Sequence, residues 1–137
     1  MPYAYDQATM TTGIDTIDEQ HRKLFDMINE IERMMGGYAP DRNTKISGLI
    51  SGLVNYAMNH FAHEEGLMEK HKCQTAEVNK LAHARFTKQV GTWVERWQKS
   101  QDPAIVQEMG AFLGQWLSGH ICTIDVGLRR CSQSSKH

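Results

Sequence analysis

The spacing of apolar residues constrains this chain more than any other feature of its sequence. In four long segments these residues recur at steps of three and four, which is the repeat of a helix with one buried face, and no segment alternates as a half-buried strand does. Pro40 and Pro103 lie between segments, and Gly36 with Gly37 is a stop signal at the end of the first segment. The pattern predicts helices at residues 17–36, 41–71, 76–99 and 103–130.

Four helices of this length joined by short links predict an all-α fold, an up-down-up-down four-helix bundle. Thr16 and Glu19 have the spacing of a capping box, which predicts the start of the first helix. Residues 1–15 are rich in Tyr, Thr and Gly, and we expect them to form a non-helical N-terminal arm. A chain of 137 residues can build one core without further crosslinks, so we expect a single domain spanning residues 1–137.

Histidines occupy positions on the predicted apolar stripes where a hydrophobic residue is expected. His60, His83 and His120 lie on the stripes of the second, third and fourth segments, and His21 opens the stripe of the first. Neighbouring helices are antiparallel, so the start of one lies level with the end of the next. The four imidazoles should therefore converge at one end of the bundle. Glu64 lies one turn after His60 and on the same face.

A carboxylate in a protein core costs several kcal/mol unless it is paired or bound to a cation. Asp125 lies five residues after His120, about 140° round an ideal helix, so periodicity alone places it on the flank of the predicted cluster. Imidazoles with carboxylates suit iron, manganese or zinc, and the set lacks the thiolates of structural zinc sites. The stripes therefore predict a metal centre. His63 points about 60° away from the stripe, which predicts a surface or outer position.

Composition and charge limit the partners. A net charge of −1 gives no basic patch for nucleic acid, and no apolar run approaches the ~20 residues that cross a membrane. The first ten residues lack the features of a signal peptide.

The cysteines indicate the redox environment. They are odd in number and widely spaced, at Cys73, Cys122 and Cys131, which favours free thiols in a reducing cytoplasm. Protein partners and oligomeric state are not fixed by the sequence.

The candidate ligands lie in motifs that resemble those of the hemerythrin family, over roughly residues 14 to 128. Each motif alone is weak, but four of them in order at these separations are specific. In chain order they are Asp18-Glu19-Gln20-His21, His60-Phe61-Ala62-His63-Glu64-Glu65 with Met68, His83 with Phe86, and Trp116-Leu117-Ser118-Gly119-His120-Ile121-Cys122-Thr123-Ile124-Asp125.

The resemblance implies two iron ions, joined by an oxo or hydroxo group and by the carboxylates of Glu64 and Asp125, that bind O2, with small anions such as azide as analogues. His21 and His60 would hold the iron with the open position, and the other two histidines would hold its neighbour. The implied metal ligands are His21, His60, Glu64, His83, His120 and Asp125. The implied O2 pocket consists of Phe61, Trp116, Leu117 and Ile121.

The chain departs from the family pattern at residue 79. The family has a histidine one turn before His83, and this chain has Asn79; Cys73 and Gln74 replace the family's tyrosine-proline in the preceding turn. An amide oxygen is a much poorer iron ligand than imidazole. Three occupants of the position remain open: the amide of Asn79, a water molecule, or His71 folded in from the end of the second helix.

Two further functions compete with O2 binding by a carrier, store or sensor. One is a di-iron redox enzyme that acts on peroxide, O2 or nitric oxide, resembling the ferritin and rubrerythrin group. That group favours paired Glu-x-x-His motifs, which this chain lacks at the required places, since Glu77 lies off its helix stripe. The other is a purely structural bundle, which leaves the converging histidines unexplained. Asn79, as a poor ligand, would leave an additional coordination position open on one iron. Such a position favours reaction with peroxide or nitric oxide, so Asn79 is the feature that favours the enzyme.

Overall fold

The computed structural model describes residues 3–36 and 40–134, and every regular element in these two ranges is a helix. Four of the elements are long, and they correspond to the four segments found in the sequence. The elements are α1 (Gln7–Met10), α2 (Asp15–Met35), α3 (Arg42–Lys70), α4 (Ala76–Ser100), α5 (Pro103–His120), a π-helical turn (Ile121–Asp125) and α6 (Gly127–Ser134).

The four long helices form a ring in which each packs against two neighbours. Contacts join α2 to α3, α3 to α4, α4 to α5, and α5 back to α2. Apolar side chains from all four helices meet inside the ring, for example Ile28, Leu53, Val90 and Leu113. The predicted all-α four-helix bundle is confirmed. No helix in the described ranges is long and apolar enough to cross a membrane.

Two predicted helix starts had different outcomes. At the start of α5, Pro103 occupies the first turn and the Asp102 side chain accepts a hydrogen bond from the Ala104 N–H, as expected of an N-cap. The capping box at Thr16 was wrong, because α2 begins at Asp15, two residues before the predicted start, and its N-cap, Ile14, makes no side-chain hydrogen bond. Its first-turn polar residue, Asp18, is directed backwards into the N-terminal arm instead.

The N-terminal arm is partly helical, which corrects the expectation of a non-helical arm. Residues Gln7–Met10 form a single turn whose N-cap, Asp6, accepts a hydrogen bond from Ala8 N–H at 3.1 Å. Met10 packs into the main core. Beyond it, Thr12 donates to the buried Asp18 carboxylate from both its N–H and its hydroxyl, each at 2.8 Å. These bonds tie the arm to α2 just before His21.

The last predicted helix, residues 103–130, is divided into three pieces. After α5 the helix widens into a π turn, in which Val126 N–H donates to Ile121 O, five residues earlier, at 3.1 Å. The chain then continues as α6 to Ser134. The helix therefore extends past the predicted end at residue 130, and residues 135–137 lie outside the described residues.

A disulfide joins Cys73, in the turn between α3 and α4, to Cys131 in α6, with their Cα atoms 5.4 Å apart. The prediction of three free thiols was therefore wrong for this pair, and Cys122 is exposed and free. The spacing of the cysteines did not predict this disulfide, because the two residues are 58 positions apart and meet only when the helices pack. The bond closes a small second core with Ile17, Met68 and Leu128.

Candidate metal centre

The four stripe histidines converge at one end of the bundle together with two carboxylates. Each long helix contributes one imidazole, and all four rings are buried, with 0–6% of their surfaces exposed. In each of two sets of residues, one ligand atom from every member lies within 4.8 Å of the others. The first set is His21, His60, Glu64 and Asp125; the second is Glu64, His83, His120 and Asp125.

Each carboxylate divides its two oxygens between the two sets. Oε2 of Glu64 lies 3.2 Å from His21 Nε2 and 3.3 Å from His60 Nε2, while Oε1 lies 3.2 Å from His83 Nε2. Asp125 does the same, with Oδ2 at 3.2 Å from His21 Nε2 and Oδ1 at 3.1 Å from His120 Nε2. This is the arrangement needed for two carboxylates to bridge two neighbouring cations.

The π turn brings Asp125 into the site. On an ideal α-helix Asp125 would point about 140° away from His120. The turn holds one more residue than an α-helical turn, so its residues advance by a smaller angle each, and Asp125 is 1% exposed, with both carboxylate oxygens facing histidines. Single π turns inside α-helices occur frequently at functional sites. The sequence suggested Asp125 through the family motif, while the periodic stripe did not select it.

The donor set fits a pair of metal ions better than a network of hydrogen bonds. His83 Nε2 and His120 Nε2 lie 3.1 Å apart, so two nitrogen atoms face each other where at most one proton can serve both. Buried atoms Oε1 of Glu64 and Oδ1 of Asp125 face imidazole nitrogens, yet neither makes a well-directed hydrogen bond. Lone pairs aimed at common points are satisfied by cations placed there.

Outer residues orient two of the imidazoles. With Nε2 turned to the centre, His60 donates from Nδ1 to Gln20 Oε1 at 2.7 Å, and His83 donates from Nδ1 to Glu65 Oε2 at 3.1 Å. Gln20 Nε2 in turn donates to the exposed His63 at 3.2 Å. Such partners fix the ring orientation and raise the basicity of metal-binding histidines. His63 thus occupies the outer position that its helical phase predicted.

The electrostatics of the cluster favour an ionised carboxylate among partly protonated imidazoles. Burial raises the pKa of Glu64, but the close contacts with His21, His60 and His83 outweigh it and hold the pKa well below its usual value. Burial lowers the pKa of His21, but hydrogen bonds to Asp125 and Glu64 raise it to about 9. Burial lowers the pKa of His83 as well, but the carboxylate of Glu64 outweighs this effect and raises it. Protons therefore occupy the metal-free cluster and compete with cations for it.

Asn79 is fully buried at the edge of the second set of residues. Its Oδ1 accepts a hydrogen bond from His120 Nε2 at 2.7 Å, while its Nδ2 has no partner among the described residues. His71, the alternative occupant, forms the C-cap of α3, is half-buried and belongs to neither set. The structure thus brings Asn79, and not His71, to the centre.

Aromatic rings cover one side of the cluster. Phe61 stacks on His83 with 3.9 Å between ring centroids, and Trp116 stacks on His120 at 4.3 Å. Both rings border a small apolar cavity of about 30 Å³, which Leu117 also lines. Ile121, the fourth residue expected in the pocket, is fully buried but does not line this cavity. Three of the four expected pocket residues therefore surround one void beside the histidines.

Sequence reasoning did not assign roles to the outer partners Gln20 and Glu65. Both lie inside the motifs: Gln20 directly precedes His21, and Glu65 directly follows Glu64. This adjacency to a candidate ligand was the signal that the sequence offered. Their contacts join α2 to α3 and α3 to α4. A one-dimensional stripe cannot predict such cross-helix pairs, because they depend on helix rotation and side-chain reach.

A four-helix bundle with these donor sets in its core defines a protein with a candidate metal centre between its helices. The family model of the hemerythrin HHE cation binding domain matches residues 12–128. The chain therefore belongs to the hemerythrin family, whose members bind iron.

Curated relatives agree with this assignment. Bacteriohemerythrin from Pseudomonas aeruginosa is 34% identical over 121 residues, covering 88% of this chain and 76% of the relative. Bacteriohemerythrin from Clostridium acetobutylicum is 35% identical over 115 residues, covering 82% and 88%. A hemerythrin-like protein from Naegleria gruberi is 27% identical over 120 residues, covering 88% and 85%.

Proposed function

We propose that this protein binds O2 reversibly at a carboxylate-bridged centre of two iron ions, as a carrier, store or sensor. The observation that carries the proposal is the division of the Glu64 and Asp125 oxygens between two sets of imidazoles. The ligands in this proposal are His21, His60, Glu64, His83, His120 and Asp125.

Two reduced iron ions would supply the electrons that O2 takes when it binds, and the residues around them control what else reaches the centre. Phe61, Trp116 and Leu117 present apolar surface to the cavity beside the histidines. A dry pocket of this kind limits access of water and protons to the metal. We propose that these three residues protect bound O2, with Ile121 as buried support next to them.

A wider groove between α3 and α4 supports access for a small apolar molecule. The groove has a volume of about 400 Å³, and five of its lining residues also line the internal cavity. These five are Val54, Ala57, Phe61, Phe86 and Val90. Uncharged O2 can cross such an apolar boundary more readily than water or ions.

The first test is iron content and reversible colour. Protein produced with adequate iron should contain about two irons per chain, and its visible spectrum should change on addition of O2 and return on its removal. His60→Ala and Glu64→Ala should lose most of the iron and the colour. His63→Ala is the matched control, because this side chain is exposed and its ring nitrogen contacts the outer residue Gln20 and belongs to neither ligand set.

The outcomes separate the competing functions. Absence of iron would reject the proposed centre, and loss of colour in His63→Ala would show that the helical phase used for the ligands is incorrect. A spectrum that changes once with O2 and cannot be restored would favour the alternative, a di-iron redox enzyme acting on peroxide, O2 or nitric oxide. Asn79 is the specific feature that favours that alternative, since it adds no imidazole to the second set.

The sequence led us to propose the cytoplasm as the location, and the cysteine pair now provides a test of it. A reducing cytoplasm keeps most structural thiols reduced. Alkylation of the protein in intact cells, followed by mass spectrometry, should detect Cys73 and Cys131 as thiols if the location is cytoplasmic. A fully oxidised pair in freshly lysed cells would argue for an oxidising compartment.

A further inference from the structure

Asn79 has an unusual environment for a core amide. The residue is 0% exposed, and its Nδ2 finds no hydrogen-bond acceptor in the described part of the chain. Its backbone N–H donates to Thr75 O at 2.8 Å and its side-chain Oδ1 accepts from His120, so the unsatisfied group is Nδ2. A buried donor without an acceptor destabilises the fold, because it has lost its water and gained no partner. A ligand with a hydrogen-bond acceptor would satisfy this Nδ2 donor.

Metal binding would increase this deficit. Among the described residues, the one side-chain hydrogen bond of Asn79 comes from His120 Nε2, which must give up its proton to coordinate a cation. The amide would then have two unpaired polar ends. Exchanging the positions of the amide oxygen and nitrogen does not remove the problem, because a metal-bound imidazole nitrogen neither donates nor accepts. Loading the site therefore leaves Asn79 with a free donor beside the second metal position.

The two metal positions have equivalent protein donors. Each draws on two imidazoles and on one oxygen from each shared carboxylate. Iron with imidazole and carboxylate donors commonly keeps open positions for exogenous ligands. Because the amide of Asn79 is a weak ligand for iron, neither position is filled by protein donors alone.

A positively charged groove opens on the same end of the bundle. It has a volume of about 840 Å³, and its lining includes Lys72 and Arg130 but, among the described residues, no carboxylate. The groove also includes Thr75, whose carbonyl holds the Asn79 N–H, and Val126, which follows Asp125. Clefts lined by one sign of charge concentrate ions of the opposite sign. Small anions are thus attracted to the side of the centre where Asn79 lies.

We propose that a small anion of the azide or nitrite class binds at the metal held by His83 and His120, with Asn79 Nδ2 donating a hydrogen bond to it. This position is separate from the one on the His21 and His60 side. The inference rests on the proposed di-iron function. It predicts two exogenous ligand positions per centre, one on each metal.

The test is calorimetric titration of the oxidised, iron-loaded protein with sodium azide, with iron measured in every sample. The native protein should bind two azide ions per two irons. Asn79→His adds an imidazole at the second position and should reduce the number to one. Asn79→Leu has a similar size but no donor, so it should still bind two, the second about tenfold more weakly. Gln107→His, at an exposed position on α5 away from the centre and the grooves, is the matched control and should behave as native.

The results distinguish this inference from the proposed function. Native protein that carries two irons but binds one azide would overturn the second ligand position and leave the di-iron centre standing. Two azide ions on Asn79→His would overturn the assignment of the position to residue 79. Equal affinities in Asn79→Leu and native protein would overturn the hydrogen bond. Absence of iron from all four proteins would overturn the proposed function and this inference with it.

Discussion

Glu64 is an ionised side chain at a position where burial alone favours an apolar one. It is 0% exposed, yet close contacts with three histidines keep its pKa well below the usual value. The surrounding imidazoles in turn depend on outer partners, and His60 is held by Gln20 at 2.7 Å. A single residue in this centre is therefore oriented by a chain of contacts that reaches the surface at His63.

We predict that Gln20→Met weakens iron binding by ~10–100-fold without unfolding the bundle. The variant keeps the size of the side chain but removes the acceptor that orients His60, and loss of such a partner typically costs this much affinity. Competition with a chelator of known affinity measures the change. Gln89→Met, on an exposed face of α4, is the control. Equal iron affinity in the two variants would show that Gln20 does not orient the ligand.

The sequence predicted which residues are candidate ligands better than it predicted the contacts that these residues make. His21, His60, His83 and His120 could be found because each breaks an apolar stripe, and the motif resemblance added Asp125. The orientation of each ring could not be found, since it depends on partners from other helices. The unsatisfied amide of Asn79 is likewise a property of packing, although its departure from the family pattern was visible.

The positions of the long helices followed from the apolar repeat. Their predicted ends differ from the observed ones by at most about two residues, except in the last segment. That segment was predicted as one helix because an α-helix keeps 3.6 residues per turn throughout its length. The π turn at Ile121–Asp125 changes the repeat locally, and it does so where Asp125 is needed. The sequence carries no independent signal of that widening.

The turn between α3 and α4 is fastened to α6 by the Cys73–Cys131 disulfide. This connection lies close in sequence to two parts of the centre, with Asn79 six residues after Cys73 and Asp125 six residues before Cys131. It closes a loop of 58 residues, and a closed loop of this length restricts the unfolded chain. The bond thus stabilises the end of the bundle that carries the candidate ligands.

We predict that Cys131→Ser lowers the free energy of unfolding by about 2–4 kcal/mol. Urea denaturation of metal-free protein under non-reducing conditions measures the change. Cys122→Ser is the matched control, because Cys122 is exposed and free, and it should stay within about 0.5 kcal/mol of native. Dithiothreitol should bring the native protein to the stability of Cys131→Ser. If the reductant has no effect, Cys73 and Cys131 do not form the bond in solution.

For the whole molecule, stability and metal binding are coupled through the buried cluster. The bundle surrounds four imidazoles and two carboxylates with an apolar core, and without a cation these groups must be satisfied by protons. The free energy of metal binding then becomes free energy of folding. Iron should therefore change both the height and the pH dependence of the stability curve.

The pH dependence of the metal-free protein has a defined sign. The pKa of His21 is raised from 6.5 to about 9, so its contribution to stability is complete below pH 6.5 and is lost as pH rises through 9. His83 acts in the same direction. The pKa of Glu64 is lowered, so its contribution is present above pH 4.5 and is lost as pH falls below that value. Metal-free protein should thus be most stable between about pH 4.5 and 6.5.

Urea denaturation of the metal-free protein at pH 6 and pH 9 should give a lower stability at pH 9, with His21 contributing about 3 kcal/mol at most. His21→Gln should flatten this alkaline decline, while His63→Gln, an exposed control, should retain it. Iron removes the need for protons in the cluster, so the loaded protein should lose the alkaline decline and instead become less stable as acid protonates its ligands. Metal-free protein that gains stability from pH 6 to pH 9 would show that the cluster does not hold its protons on the imidazoles.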